Sequence, residues 1–224
     1  MAAGFDAVMA AGRTAVLAGT HNVDAPPRDG GRWGLSAVLL PFGDVADALD
    51  RLTASLREVA GHTHWPSGSD GRAHATVRAL EPYRDAGDDE QAGRYLAALE
   101  RAGRAVGPVR LDFTGLALSA GSVMACATTP GGTAHHFRNA LGRELGPDGW
   151  LEDTLFPTYR DPIWYCSAVH FTGPLRAPGD LVAWVDAHRD VGLGEQTYHS
   201  VALCRWTFDG IAMAPAVIGS ATLG

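Results

Sequence analysis

Two short stretches of the chain hold residue types that can move protons at neutral pH: His74-Ala-Thr76-Val and His170-Phe-Thr172-Gly. In an extended strand, residues i and i+2 project from one face. His74 and Thr76 are therefore expected to point together, with Ala75 and Val77 opposite. His170 and Thr172 are expected to do the same, with Val169 and Phe171 opposite. Imidazole titrates near neutrality, so one ring can take a proton while another gives one. A hydroxyl beside each ring can donate to an oxygen on which charge builds up. Two such pairs converging on one cleft suit the cleavage of a phosphodiester, a reaction that here needs no metal and no cofactor.

The elements that would carry these stretches follow one plan twice. The run 33–40 is of β type and ends at Pro41 and Gly43. Asp44 can cap a helix with Val45, Leu49, Leu52, Leu56 and Val59 on one stripe, stopping at Gly61. The first His-x-Thr segment follows, then a helix from near Asp88 and a strand over 109–118. In the second half, a strand over 122–127 precedes a helix that Thr133 can cap, with Phe137, Leu141 and Leu145 on one side. The second His-x-Thr segment follows, then a helix from near Asp180 and a strand over 197–208. This order, without a Rossmann glycine pattern, predicts an α+β fold. Its two similar lobes would each be an antiparallel sheet with helices on its outer face, related by a pseudo-twofold around a central cleft. Residues 1–31 read as a helix and connector, 32–208 as the bilobal unit and 209–224 as a tail.

Other side chains are placed near the cleft by the same pattern. Arg78 lies four residues past His74 on the same expected face. Tyr83 follows the first motif, Trp164 and Tyr165 precede the second, and His199 and Arg205 share a face of the last strand. All six are candidates for holding substrate, each with a plain packing or surface role as the alternative. His62 and His64 have i, i+2 spacing but no evident third metal ligand. His135 and His136 fall on the first turn of a helix, where exposure is usual. Pro130-Gly-Gly lacks the Lys and Ser/Thr of a phosphate-binding P-loop, and there is no Gly-x-Ser-x-Gly elbow.

The residues around the two motifs resemble the 2H phosphoesterase superfamily, which includes bacterial RNA 2',3'-cyclic phosphodiesterases, 2'-5' RNA ligase-like proteins and plant cyclic phosphodiesterases. The resemblance spans roughly 33–208 and rests on His74-Ala-Thr-Val, His170-Phe-Thr-Gly, the strand–helix plan before each, and His64-Trp65-Pro66. It implies that His74 and His170 form the catalytic pair, with Thr76 and Thr172 holding the phosphate. Gly173 departs from the apolar residue common at that place in the family.

Composition narrows the partners. A formal charge of -7 and a pI near 5.6 argue against broad binding of DNA or RNA. A small nucleotide or other phosphodiester, or a short RNA end, fits a local pocket. Cys126, Cys166 and Cys204 are too few and too scattered for a disulfide framework and read as reduced buried thiols. No apolar run is long enough to span a membrane and no signal peptide is evident, so a cytoplasmic location is expected. Three functions follow from these readings. They are hydrolysis of a cyclic nucleotide, most naturally a nucleoside 2',3'-cyclic phosphate; processing of RNA ends, including 2'-5' cleavage or ligation; and nucleotide binding without turnover.

Overall fold

The computed structural model describes residues 3–27, 33–82, 91–146 and 163–224. Its strands are β1 (Ser36–Leu39), β2 (Ala75–Ala79), β3 (Val109–Leu118), β4 (Ser122–Thr128), β5 (Trp164–His170), β6 (Gly192–Tyr198), β7 (Ser200–Phe208) and β8 (Met213–Thr222). Its helices are α1 (Ala3–Ala18), α2 (Gly43–Ala60), α3 (Ala92–Arg104), α4 (Thr133–Leu145) and α5 (Pro178–Ala187). No helix among the described residues is long and apolar enough to cross a membrane.

The strands form one antiparallel sheet in the order β6-β3-β4-β5-β2-β1-β7-β8. The α+β class is as the sequence implies, but the two halves are not separate sheets. They join where Ala75 of β2 pairs with Cys166 of β5. The last strand of each repeat also crosses over: β3 sits beside β4, and β7 sits beside β1. The run 197–208 is two strands, broken at His199. Residues 209–224, for which the sequence suggested no element, contain β8 paired along β7.

Amphipathic patterning decides which face the helices take. Leu49 and Leu56 of α2, Leu99 of α3, Phe137 and Leu141 of α4, and Leu181 and Val185 of α5 pack on one face of the sheet. There they meet Ala37, Leu39, Ala75, Val77, Leu111, Phe113 and Cys166. Alternation sends Val38, Ala202, Cys204 and Trp206 to the opposite face, where they form a cluster of their own. The start of α1 reaches that opposite face as well, placing Phe5 on Ala117, Met124 and Cys126. Two ion pairs, Asp6 with Arg189 and Arg13 with Asp186, tie α1 down.

Two β-bulges break the alternation beside the motifs. In β2, Arg78 pairs with Ala37 and Thr76 with Val38, so Val77 has no partner across the ladder. In β5, Val169 pairs with Val123 and Ser167 with Met124, leaving Ala168 extra. Ala168 and Val169 consequently both face the helices. The insertion turns His170 to the same face as Tyr165; strict alternation from Tyr165 would have buried it beneath the helices.

Candidate functional site

His74 stands one residue ahead of β2, and His170 is the last residue of β5. Thr76 lies within β2, directly across from Val38, and so shares the face opposite the helices. Thr172 lies beyond the end of β5 rather than inside a strand.

The imidazoles are each held through Nδ1. His74 Nδ1 is 2.9 Å from the carbonyl oxygen of Arg72. His170 Nδ1 is 2.6 Å from Oγ of Ser67. Neither Nε2 has a partner among the described residues, so both remain available for proton transfer. Burial pushes each ring down to about 4, and for His74 the nearby His170 lowers it further while the Arg72 carbonyl works the other way. Both are therefore neutral at neutral pH in the free protein. The rings come from neighbouring strands, β2 and β5, which pair at Ala75 and Cys166.

The two threonines are placed differently. The Thr76 side chain is exposed and makes no hydrogen bond among the described residues. Thr172 Oγ1 donates to the carbonyl of Thr63 at 2.9 Å, and its backbone N–H donates to Nδ1 of His64 at 3.1 Å. His64 is buried. Desolvation, reinforced by the charge of His21, holds its titration below the usual range. His62 is exposed and faces Glu58 at 3.4 Å, so the i, i+2 histidines have separate tasks.

Aromatic side chains surround the pair. The Trp206 ring lies 4.2 Å from that of His74. Trp65 exchanges both backbone hydrogen bonds with His170, each 3.1 Å. Its ring meets Trp33 edge-on at 6.1 Å and Phe208 at 5.7 Å. The turn after β7 is pinned by Asp209, which takes Arg72 at 2.8–2.9 Å and caps Ile211 and Ala212. Arg72, only 9% exposed in its side chain, also pairs with Asp70. The same residue thus anchors His74 through its carbonyl and the β7–β8 turn through its guanidinium.

The other sequence-derived candidates lie elsewhere. The β2 bulge turns Arg78 toward the helices, where its Nη2 would be 3.0 Å from a Cβ at Gly142 of α4. Trp164 is in the core on the helix side, its Nε1–H donating to His135 at 3.4 Å. Arg205 alternates with Trp206 and so falls on the face of Val201 and Leu203. His199 is exposed at the break between β6 and β7. Tyr165 is on the face of His170 but packs in the cluster under Phe5. Tyr83 lies outside the described residues. Sequence reasoning missed Ser67, Arg72 and Trp206, which touch the histidines, and Phe208, which packs on Trp65. The only local signal for the first was the turn-forming Pro66-Ser67-Gly68 beside Trp65.

The cysteines are buried. Desolvation pushes Cys126 and Cys204 up to about 12 and raises Cys166 as well, which makes them unreactive thiols.

No family model and no curated protein matches the sequence. Solved structures do match in shape. TT0787 of Thermus thermophilus is similar with a TM-score of 0.58 at 19% identity, over 84% of this chain and 97% of that one. E. coli LigT complexed with 3'-AMP is similar with a TM-score of 0.54 at 11% identity, over 86% and 98%. A further crystal structure, of a phosphoesterase, is similar with a TM-score of 0.50 at 12% identity, over 86% and 98%. The chain has the LigT-like fold, the one implied by the resemblance to 2H phosphoesterases. Nearly the whole length of each of these structures is covered.

Proposed function

We propose that this protein is a 2H phosphoesterase that hydrolyses a small cyclic phosphodiester, most naturally a nucleoside 2',3'-cyclic phosphate. The observation that carries the reading is the pair His74 and His170, both tethered through Nδ1 with Nε2 left free of protein partners among the described residues. One neutral ring takes a proton from water as its oxygen attacks phosphorus. The other, protonated, gives its proton to the ester oxygen that leaves. Anionic phosphate beside the rings favours the imidazolium form, so substrate binding itself supplies the acid. The unbonded hydroxyl of Thr76 donates to a non-bridging oxygen, and that of Thr172 does so by turning away from Thr63. The fold shared with a phosphoesterase and with LigT, which has been crystallised with 3'-AMP, supports this class of substrate. The acidity of the chain favours a small substrate over a long RNA.

The test is turnover of 2',3'-cyclic nucleotides, 3',5'-cyclic nucleotides and 2'-5' dinucleotides in EDTA by the wild type, His74→Ala and His170→Ala. Turnover abolished by either substitution supports the reading. Loss of turnover in EDTA, or its survival in both variants, contradicts it. Tight binding without turnover points instead to a nucleotide-binding module.

A further inference from the structure

The two imidazoles are held by partners of different chemistry. A carbonyl can only accept, so Nδ1 of His74 carries a hydrogen in every protonation state, and the neutral ring presents a bare Nε2. A hydroxyl can donate or accept, so Ser67 can meet Nδ1 of His170 with or without its hydrogen.

Ser67 is brought there by a close approach of backbone to backbone. Trp65 pairs with His170 in both directions, and the Gly68 N–H donates to the carbonyl of Ala168 at 2.9 Å, so 65–68 runs antiparallel along the end of β5. Only glycine fits at 68. A Cβ there would stand 2.2 Å from Oγ1 of Thr53 and 3.0 Å from Cα of Ala168. Ser67 itself is 2% exposed, and no other side-chain bond to its hydroxyl is formed among the described residues. Its hydrogen therefore has the Nδ1 lone pair of neutral His170 as its acceptor, which leaves the ring hydrogen of His170 on Nε2.

We propose that Ser67 is a positioning residue for the reaction: its hydroxyl holds His170 through Nδ1 and switches between donor and acceptor as that ring changes protonation, while His74 stays in one tautomer. This rests on the function proposed above. It gives the pair an asymmetry that the matching His-x-Thr motifs conceal. Neutral His74 always faces substrate with a lone pair, ready to take a proton. His170 is the ring whose neutral form offers Nε2–H to a phosphoryl oxygen. When His170 is protonated, the Ser67 hydroxyl turns to accept from Nδ1–H, so the ring keeps its orientation.

The test uses the full chain labelled with 15N-histidine, as wild type, Ser67→Ala and Ser67→Thr. Nitrogen spectra at neutral pH should show His74 with Nε2 bare in all three. The Nδ1 resonance of His170 should move to the position of an unbonded nitrogen in Ser67→Ala and return in Ser67→Thr. On the cyclic substrate, Ser67→Ala should lower kcat about 10- to 100-fold with KM within about threefold, as loss of orientation does, and Ser67→Thr should recover most of it. Unmoved His170 resonances together with unchanged kcat in Ser67→Ala would overturn the proposal. If the wild type cleaves no cyclic phosphodiester, the functional reading fails, and the spectra alone decide the role of Ser67.

Discussion

The indole of Trp206 lies over the imidazole of His74, with ring centroids 4.2 Å apart and planes tilted by 46°. Trp206 is 5% exposed, and it excludes water from one side of the ring. Two effects oppose each other here. The indole face attracts an imidazolium, while the loss of hydration disfavours it. Burial is the first cause of the low His74 value, and the indole is part of what buries the ring. Trp206→Ala should therefore raise the His74 pKa toward 6.5, read by NMR titration of that ring. The same variant should lose about 3–5 kcal/mol of stability through the cavity it leaves. A His74 pKa that falls further on removing the indole would show that its face was stabilising the charge.

The low values of both histidines also fix the shape of the pH dependence. The ratio kcat/KM reports the free protein, in which both rings titrate at about 4. The active form needs one ring protonated and one neutral, and above that range its population shrinks about tenfold per pH unit. So kcat/KM should climb as the pH falls from about 8 to about 5, whereas kcat, measured with the phosphate in place, should peak closer to neutrality. Steady-state profiles of the two parameters check this. Coincident optima near neutrality would mean that the rings are not desolvated as described.

Folding stability must follow the same groups. An unfolded histidine titrates near 6.5 and these two near 4 in the folded protein, so between those values the unfolded chain binds more protons. Their contribution is fully present above 6.5 and is lost as the pH falls through that window toward 4. Urea unfolding of the wild type against the His74→Ala/His170→Ala double variant isolates it. The wild type should lose more stability than the variant between neutrality and about pH 4.5, and the two should run parallel above about pH 7.

The repeat of strands and helices was legible because periodicity is local: β3 and β4 begin where alternation and turn residues say. The expected caps were not: Asp44 and Thr133 lie inside α2 and α4, which start after Phe42 and Gly132 with no side-chain cap bond, and it is Thr129 that accepts from the Ala134 N–H. Nor were the two bulges. Whether Arg78 follows Thr76 onto the site's face depends on Ala37 and Val38 across the ladder, and whether His170 follows Tyr165 depends on Val123 and Met124. An extra residue in one strand is set by its partner, so alternation read along a single strand misplaces what lies beyond it. Trp206 was hidden for a related reason. It comes from the far end of β7, and the Arg72–Asp209 pair that holds the adjacent turn spans 137 residues.

The closeness of 65–68 to β5 gives the last prediction, because it depends on a single missing Cβ. Thr53 of α2 is fully buried and its Oγ1 has no hydrogen-bond partner among the described residues, so nothing but packing holds it against Gly68. A methyl at 68 must displace Thr53, move the 65–68 backbone away from Ala168, or both. Gly68→Ala should cost about 2–3 kcal/mol, at the upper part of the range for overpacking, and should lower kcat by drawing Ser67 off His170. Thr53→Ala alone removes an unpaired buried hydroxyl along with a methyl, so its own cost should be small. Combined with Gly68→Ala it removes the worst clash and leaves the 3.0 Å approach to Ala168 Cα. The double variant should be more stable than Gly68→Ala, with a coupling of about 1 kcal/mol or more in a denaturation cycle, since the two sites share one contact. Strict additivity would show that the backbone had moved instead, and the His170 resonances would then shift in Gly68→Ala whether or not Thr53 is present.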